Sequence, residues 1–378
     1  MAVKRKKIGI IFSIDENWIG GTYYFLNLVS SFTLLPDKEK PFVAIFAWHK
    51  KEFDLVKETK YPYLKFLNLN IHYSYYERLL NKISRAFGKG NIIDKSYSDK
   101  DVDVIYPYKI DTLKKISNNV YWIPDFQEYY LPMFFSKEEI ITRKKACQKI
   151  AEQKTKLILS SQSAQNDFNT FYPTAICETK VVNFAVTHPP YQHLEIELLK
   201  KKYNIKGSYF FAPNQLWKHK NQLIILKAIK LVKEKKENIL VVFTGKEYDN
   251  RNPTYTDELK EFVKSNGLEK NALFLGFIDR AEQLQLMNHS HAVIQPSLFE
   301  GWSTVVEDVK AMNQFVIASD IPVHREQLIN NSVFFNPTDE YKLADILLLL
   351  NKKEIEKIQN NYQLNIKNFA EQFISAIK

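Results

Sequence analysis

The fold is decided by the stretch from Ala272 to Asp320, which reads ALFLGFIDRAEQLQLMNHSHAVIQPSLFEGWSTVVEDVKAMNQFVIASD. Three short apolar runs alternate here with two segments whose apolar residues recur at helical spacing. Short buried strands that alternate with helices predict a parallel sheet built from β-α-β units. We therefore expect an α/β fold whose ligands bind at the carboxyl ends of the strands.

The same alternation continues in both directions along the chain. In the C-terminal half the predicted strands are 209–212, 239–244, 272–275, 292–295, 315–318 and 333–335, and helices are expected near 222–235, 257–266, 281–287 and 305–311. In the N-terminal half the predicted strands are 8–12, 42–47, 104–106, 120–123 and 157–159, with helices near 24–32, 76–87 and 136–154. Together they predict two Rossmann-like, doubly wound domains that face each other across a central cleft, with the first at 1–190 and the second at 205–353.

Composition narrows the class of partner. The 378 residues carry a net charge of +10, which suits an anionic partner such as a nucleotide, a phospholipid surface or a nucleic acid. The sequence lacks the signatures of RRM, KH and helix-turn-helix modules, so we expect no nucleic acid. Neither of the two cysteines belongs to a CxxC pair, and the eight histidines show no HExxH spacing, so we expect no metal.

The N-terminal run IGIIFSI is short and meets Asp15 and Glu16. It therefore predicts a first buried strand rather than a signal peptide. No apolar run approaches the roughly 18 residues that span a bilayer. We expect a soluble protein of the cytoplasm.

The chemistry is concentrated where a predicted strand ends at Gln295. An acid follows at Glu300, Gly301 permits a tight turn, and Ser303 or Thr304 caps a new helix. The free N–H groups at such a helix start suit a phosphate. Glu300 would then hold sugar hydroxyls, and Asp308, eight positions later, a ribose diol. The alternative is purely structural, with Glu300 capping a turn and Asp308 decorating a helix.

The run from Pro296 to Gln327 resembles the nucleotide-sugar signature of retaining GT-B glycosyltransferases of the family 4, or glycosyl transferases group 1, type. That signature has two acids separated by seven residues. Gapless matching puts Glu300 on the first acid and Asp308 on the second, with Glu307 as an alternative second acid. The resemblance implies that Glu300 contacts the donor sugar and that the backbone at Gly301, Trp302, Ser303 and Thr304 meets the diphosphate.

The resemblance assigns further donor-binding residues in the C-terminal half. Lys220 matches a lysine that neutralises the diphosphate, whereas Gln215 occupies the position of a family arginine. Lys218 or Arg325 is a candidate for the missing charge, because a departing diphosphate needs preorganised cations. Gly245 and Ile278 follow other strands and are expected beside the nucleotide.

Two loops of the N-terminal half are expected on the acceptor side. The loop from Asn17 through Gly20, Gly21 and Thr22 follows the first strand, and its paired glycines allow close approach to a substrate; a simple strand-to-helix turn is the alternative. In the second loop, Asp125 falls on a family aspartate, and Glu128 is a second candidate to position or deprotonate an acceptor hydroxyl. Structural capping is the alternative for either acid.

The helix near 76–87 combines an apolar stripe with Arg78, Lys82 and Arg85. Such a basic amphipathic helix either packs its stripe against the core or lies on anionic lipid. Lipid contact would suit a lipid-linked acceptor and a position on the inner face of the membrane.

The resemblance as a whole implies metal-independent, cofactor-independent transfer of a sugar from a nucleotide-diphosphate sugar to a hydroxyl of a saccharide or lipid-linked acceptor. It also implies a setting in surface polysaccharide or glycoconjugate assembly, and a last segment, 354–378, that crosses back as a helix onto the first domain. A non-catalytic nucleotide-sugar-binding subunit and a GT-B nucleotide-sugar epimerase are the alternatives.

Overall fold

The computed structural model describes residues 5–15, 19–108, 113 and 115–378. In the N-terminal half, strands β1 to β4 form a parallel sheet in the order β3-β2-β1-β4, and strands β5 to β7 form a second parallel sheet in sequence order. Their bounds are β1 (Lys7–Ile11), β2 (Phe42–Ala47), β3 (Leu64–Asn68), β4 (Val104–Tyr106), β5 (Val120–Ile123), β6 (Lys156–Leu159) and β7 (Glu178–Val181).

The two N-terminal sheets are joined by backbone hydrogen bonds. The amide of Ile105 donates to the carbonyl of Asn118 at 3.0 Å, and that of Tyr108 donates to Val120 at 2.8 Å. The seven strands therefore follow one another in the order β3-β2-β1-β4-β5-β6-β7. The helices of this half are α1 (Ile19–Ser31), α2 (Lys50–Lys57), α3 (Tyr75–Ala86), α4 (Gln127–Tyr130), α5 (Lys137–Ala151) and α6 (Gln162–Phe171).

The C-terminal half forms one parallel sheet in the order β10-β9-β8-β11-β12-β13. This order is that of a doubly wound Rossmann sheet, so the predicted α/β class is confirmed. The strands are β8 (Phe210–Ala212), β9 (Val241–Phe243), β10 (Ala272–Phe274), β11 (Val293–Gln295), β12 (Val316–Ser319) and β13 (Ser332–Phe335). The helices are α7 (Ile196–Lys202), α8 (Gln222–Glu234), α9 (Tyr255–Ser265), α10 (Arg280–Asn288), α11 (Thr304–Ala311), α12 (Pro322–Gln327), α13 (Glu340–Asn351) and α14 (Gln363–Ala376).

The last helix, α14, belongs to the core of the N-terminal half. Phe369 and Phe373 are fully buried and pack in one cluster with Tyr24 of α1 and Tyr106 of β4. The rings of Tyr106 and Phe373 meet edge to face at 4.9 Å between centroids. The end of the chain therefore covers one face of the first sheet.

The N-terminal glycine pair differs from its prediction as a loop. Gly20, Gly21 and Thr22 lie in the first turns of α1, which begins at Ile19. Gly21 and Thr22 are buried, and Thr22 Oγ1 accepts a hydrogen bond from the amide of Asp15 at 3.4 Å, whereas Gly20 remains half-buried. Asn17 lies outside the described residues.

The structure of helix α3 contradicts one of the two interpretations of its sequence. Its residues that point inward are Asn81 and Ser84, whereas Leu79, Leu80 and Ile83 are exposed. The interpretation that the apolar stripe packs against the core is therefore wrong. Within the described ranges, every helix is too short or too polar to cross a bilayer.

Candidate active site

A cavity of about 500 Å³ lies between the two halves, within the range typical of small-molecule sites. Loops that follow β1, β5, β8, β9, β10 and β11 all contribute to its wall, as expected for the carboxyl ends of parallel strands. Most residues that the sequence singled out line this cavity: Gly20, Asp125, Gln215, Lys220, Gly245, Ile278, Glu300, Gly301, Trp302, Ser303, Thr304 and Asp308. Gly21, Thr22 and Glu128 are not part of its lining.

Glu300 is held in the cavity wall by a dense set of donors. Its Oε1 atom accepts hydrogen bonds from Lys220 Nζ at 2.7 Å, from Ser297 Oγ at 2.7 Å and from Gln295 Nε2 at 2.9 Å. Gln295 is itself fully buried and accepts a hydrogen bond from Asn214 at 2.7 Å. The carboxylate is therefore fixed in position, with only 8% of its side chain exposed.

The start of α11 lies beside this acid. Ser303 caps the helix, because its side chain accepts a hydrogen bond from the amide of Val306. Gln327 of α12 uses its own amide group to bind the backbone of Ser303 on both sides. Thr304 and Val305 begin the helix and line the cavity, and the helix offers no acceptor for their N–H groups. These two amides and the positive end of the helix dipole suit an anion.

The two neighbouring acids of α11 point in different directions. Asp308 lines the cavity, and its Oδ1 atom binds Arg280 at 2.5 Å and His188 at 3.0 Å. Burial tends to raise the pKa of this carboxyl, but Arg280 and the hydrogen bond from His188 hold it below its ordinary value. The Oδ2 atom is buried without a hydrogen-bond partner.

Glu307 faces the interior of the protein instead. Its carboxylate accepts hydrogen bonds from Lys310 at 2.7 Å, Gln327 at 3.0 Å and Tyr362 at 2.5 Å. It is not part of the cavity lining, so Asp308 is the acid that a cavity ligand can reach.

The positive charge of the cavity comes partly from residues that the sequence did not single out. Arg143, Arg251 and Arg280 line it together with Lys220. The two candidates for the missing family arginine, Lys218 and Arg325, do not line the cavity. Lys218 lies 3.8 Å from Glu258, and Arg325 pairs with Asp320 at 2.7 Å.

Arg251 lies in the loop that follows β9. Its guanidinium lies over the ring of Phe135, with 4.1 Å to the centroid, and its Nε atom lies 3.7 Å from Glu139 of the N-terminal half. Gln215 lines the same cavity and has a buried Nε2 atom without a hydrogen-bond partner. Arg251 is therefore a better placed cation than Lys218 or Arg325 for an anion in this cavity.

On the N-terminal side, Asp125 lies at the cavity with 28% of its side chain exposed. Arg143 binds Asp125 at 3.0 Å through one nitrogen and Glu128 at 2.8 Å through another. Only 1% of the Glu128 side chain is exposed. Glu128 thus binds Arg143 on the buried side, whereas Asp125 is the acid that faces the cavity.

The two halves meet at two close contacts. A Cβ atom on Gly301 would lie 2.3 Å from the carbonyl oxygen of Pro124 and 2.8 Å from Cβ of Asp125, so only glycine fits there. Next to it, Trp302 donates a hydrogen bond from Nε1 to the carbonyl of Phe184 at 3.0 Å. These contacts place the loop that carries Glu300 directly against the loop that carries Asp125.

Residues 195–369 match the family model described as Glycosyl transferases group 1. This segment belongs to that family. The group 1 segment contains the cavity residues of the C-terminal half, including Lys220, Glu300 and Asp308.

The O-antigen chain mannosyltransferase RfbU of Salmonella typhimurium is 30% identical to the chain over 135 residues. The alignment covers 36% of this chain and 36% of that protein, so the chain spans about a third of this relative's length.

Solved structures resemble the whole chain. A glycosyltransferase from Rickettsia africae ESF-5 superposes with a TM-score of 0.64 at 14% identity, over 99% of this chain and 93% of that one. Anabaena Alr3699/HepE, solved in complex with UDP and glucose, superposes with a TM-score of 0.63 at 16% identity, over 98% and 95% of the two chains. The chain therefore has the GT-B fold, with two Rossmann-like halves.

Among the described residues, no three His, Cys, Asp or Glu side chains are grouped so that they could hold a metal ion. Metal-independent chemistry stays a prediction.

Proposed function

We propose that the protein is a retaining glycosyltransferase that moves a sugar from a nucleotide-diphosphate sugar to a hydroxyl acceptor. The observation that carries the proposal is the arrangement of Glu300, Lys220 and the start of α11 in a cavity shared by both halves. An acid for sugar hydroxyls, a cation and two unsatisfied amides lie together there, which is what a sugar attached to a diphosphate requires.

The leaving diphosphate accounts for the positive groups. Its negative charge grows as the sugar departs, and fixed amides and cations stabilise such charge best because they need little reorganisation. The amides of Thr304 and Val305 would bind one phosphate, and Lys220 would move from Glu300 to the diphosphate. The unpartnered Oδ2 atom of Asp308 would accept a hydrogen bond from the ribose. Because these groups supply the positive charge, the proposal needs no metal or cofactor.

The acceptor would enter from the N-terminal side, where Asp125 faces the cavity opposite Gly301. A carboxylate can orient an acceptor hydroxyl or take its proton if it lies within hydrogen-bond reach. Arg143 fixes the orientation of Asp125 at 3.0 Å. We assign Asp125 this role and give Glu128 only the task of holding Arg143.

The proposal includes a setting in surface polysaccharide or glycoconjugate assembly, which the similarity to an O-antigen chain mannosyltransferase supports. It also includes a cytoplasmic location. Both cysteines, Cys147 and Cys177, are free thiols, as is usual in a reducing compartment.

The first test is ligand binding followed by turnover. Thermal shifts with UDP, GDP and TDP should identify one nucleotide that raises the melting temperature, because a ligand that binds only the native state stabilises it. The matching nucleotide sugar should then release nucleotide diphosphate slowly even without acceptor. Glu300→Gln, which keeps the shape of the side chain, should abolish release while circular dichroism still shows a folded protein.

A non-catalytic nucleotide-sugar-binding subunit is the second candidate, because Gln215 stands where the family has an arginine. Such a subunit would give the thermal shift, but it would release no nucleotide diphosphate from any donor in wild-type protein. Full turnover in Glu300→Gln would instead remove Glu300 from the proposed chemistry.

A further inference from the structure

Helix α3 presents its apolar face to solvent. Tyr75, Tyr76 and Phe87, at its two ends, are each about three-quarters exposed (77%, 76% and 78%). Leu79, Leu80 and Ile83 between them are also exposed, as is Ile92 in the following loop. A contiguous exposed apolar surface of this kind on a soluble protein usually marks an interaction site. We call these seven residues the α3 surface.

The opposite side of α3 is polar and is held by hydrogen bonds to the loop that follows the helix. Asn81 exchanges two hydrogen bonds with the backbone of Ile93, at 2.7 and 2.9 Å, and Ser84 donates to the carbonyl of Gly90 at 2.7 Å. Both side chains are buried. These contacts pack the polar side of the helix against its own loop, and the apolar residues face outward in the folded structure.

A row of basic residues runs along one flank of the apolar face. At 3.6 residues per turn, Arg78, Lys82 and Arg85 fall on one side of the helix next to the apolar residues. The acid on this helix, Glu77, is engaged by Lys95 at 2.7 Å and by the backbone of Ser74. The α3 surface is therefore apolar with a cationic border, and its chemical complement is an apolar layer with an anionic border.

We propose that α3 lies in the headgroup region of a bilayer that contains anionic phospholipids, and that it holds the enzyme there to act on a lipid-linked acceptor. The apolar side chains would enter the acyl boundary, and Arg78, Lys82 and Arg85 would bind lipid phosphates. The choice of lipid over a protein partner rests on this charge complementarity.

The position of α3 relative to the first sheet connects the proposed membrane contact to the cavity. Strand β3, which precedes α3, runs parallel to β2 and β1 and ends at Asn68. The carboxyl ends of parallel strands meet at one edge of the sheet, and the loops after β1 and β5 line the cavity from that edge. The start of α3 and the acceptor side of the cavity therefore share an edge. The acceptor part of this inference rests on the proposed glycosyl transfer, whereas the membrane part does not.

The experiment is flotation of the full-length protein with vesicles of phosphatidylcholine, with or without phosphatidylglycerol. Wild-type protein should float with the anionic vesicles and much less with phosphatidylcholine alone. The double variant Leu79→Glu/Ile83→Glu should reduce binding by about tenfold or more, and Lys82→Ala should reduce it by roughly fivefold. Leu364→Glu is the matched control, since Leu364 is 56% exposed on α14, and it should bind like the wild type.

Each other result overturns the membrane assignment. Equal flotation of the double variant would mean that α3 is not the contact. If the wild-type protein does not bind vesicles and sediments as a dimer, and the double variant sediments as a monomer, a second copy of the chain covers the α3 surface. Circular dichroism of each variant tests folding, which should persist because the altered side chains are exposed.

The acceptor part has its own readout. Nucleotide diphosphate release without acceptor should be unchanged in Leu79→Glu/Ile83→Glu, whereas transfer to lipid extract in anionic vesicles should fall. If the wild-type protein releases no nucleotide diphosphate, the proposed glycosyl transfer is contradicted but the membrane contact is not. Unchanged transfer in the double variant would contradict the lipid-linked acceptor.

Discussion

The Nζ atom of Lys220 lies 2.7 Å from the Oε1 atom of Glu300, in a pair whose side chains are only 17% and 8% exposed. The two residues are 80 positions apart and come from loops that follow β8 and β11, which are neighbouring strands. Parallel pairing therefore brings a cation and an acid together at one end of the sheet. A single ligand with a charged diphosphate and a hydroxylated sugar can contact both.

Replacing Lys220 by alanine should weaken the binding of the preferred nucleoside diphosphate by about tenfold or more, because a charge-assisted hydrogen bond contributes roughly 1.5–3 kcal/mol. Isothermal titration calorimetry with the nucleotide found by thermal shift measures this. Lys218→Ala is the matched control, since Lys218 belongs to the same loop but lies near Glu258 outside the cavity lining. Equal affinities in the two variants would remove Lys220 from the diphosphate site.

Gly301→Ala tests the contact between the halves. The new Cβ atom would lie 2.3 Å from the carbonyl oxygen of Pro124, so the two loops must separate. A displacement of about 1 Å can cost roughly a hundredfold in rate, so transfer should fall by about that factor. Nucleotide affinity should change little, because the clash is on the N-terminal side.

The control for this variant is Gly90→Ala. A Cβ atom on Gly90 would meet no atom within 4 Å, so transfer should match the wild type. Wild-type transfer in Gly301→Ala would show that the close approach of Gly301 to Pro124 is not needed for the reaction.

Asp308 and Glu307 are adjacent and equally buried, but their replacement should have different effects on nucleotide affinity and on stability. Asp308→Asn removes the charge that faces the cavity and should lower nucleotide affinity by about tenfold. Glu307→Gln removes the partner of Lys310 and Tyr362 in the interior, so it should lower the melting temperature by several degrees at unchanged affinity. The calorimetric titration and a thermal melt of both variants separate the two roles. A loss of nucleotide affinity in Glu307→Gln would reverse the assignment.

The sequence predicted the strands best where both faces of a strand are covered. Buried parallel strands read as continuous apolar runs, as in Phe42–Ala47 and Val316–Ser319. Strand β3 was missed because it includes the exposed polar residues Lys65 and Asn68, and β7 because its sequence, ETKV, is largely polar. Helix α7 was missed because its lysine-rich sequence is typical of a linker.

The candidate site was predicted from spacing in one region and from the family resemblance elsewhere. Glu300 to Asp308 occupy one turn and one helix, so their spacing brings them together, whereas Gln215, Lys220 and Asp125 were found through the resemblance. Arg143 and Arg251 could not be found this way, because they reach the cavity only through long-range packing around Phe135. The periodicity of α3 likewise shows which residues share a face, but not whether that face meets the core or solvent.

The last prediction concerns pH and His219, which precedes Lys220 in the cavity loop. Its side chain is buried, and its pKa lies well below 6.5 because burial disfavours the charged ring and because Lys220 and Arg251 repel it. The unfolded chain takes up a proton near pH 6.5, but the folded chain does not. The stability from this histidine is therefore fully present above pH 6.5 and is lost as the pH falls toward the folded pKa. The slope can reach about 1.4 kcal/mol per pH unit.

The free energy of unfolding in urea should consequently decrease from pH 7 to pH 5, and the decrease should be smaller in His219→Gln. The comparison uses the slope with pH rather than the stability itself, so a loss of packing in the variant does not obscure it. His193→Gln is the control, since His193 is exposed, and it should keep the wild-type slope. An unchanged slope in His219→Gln would show that the ring takes up its proton in the folded protein, so the loop that carries Lys220 would have to open to water below pH 6.5.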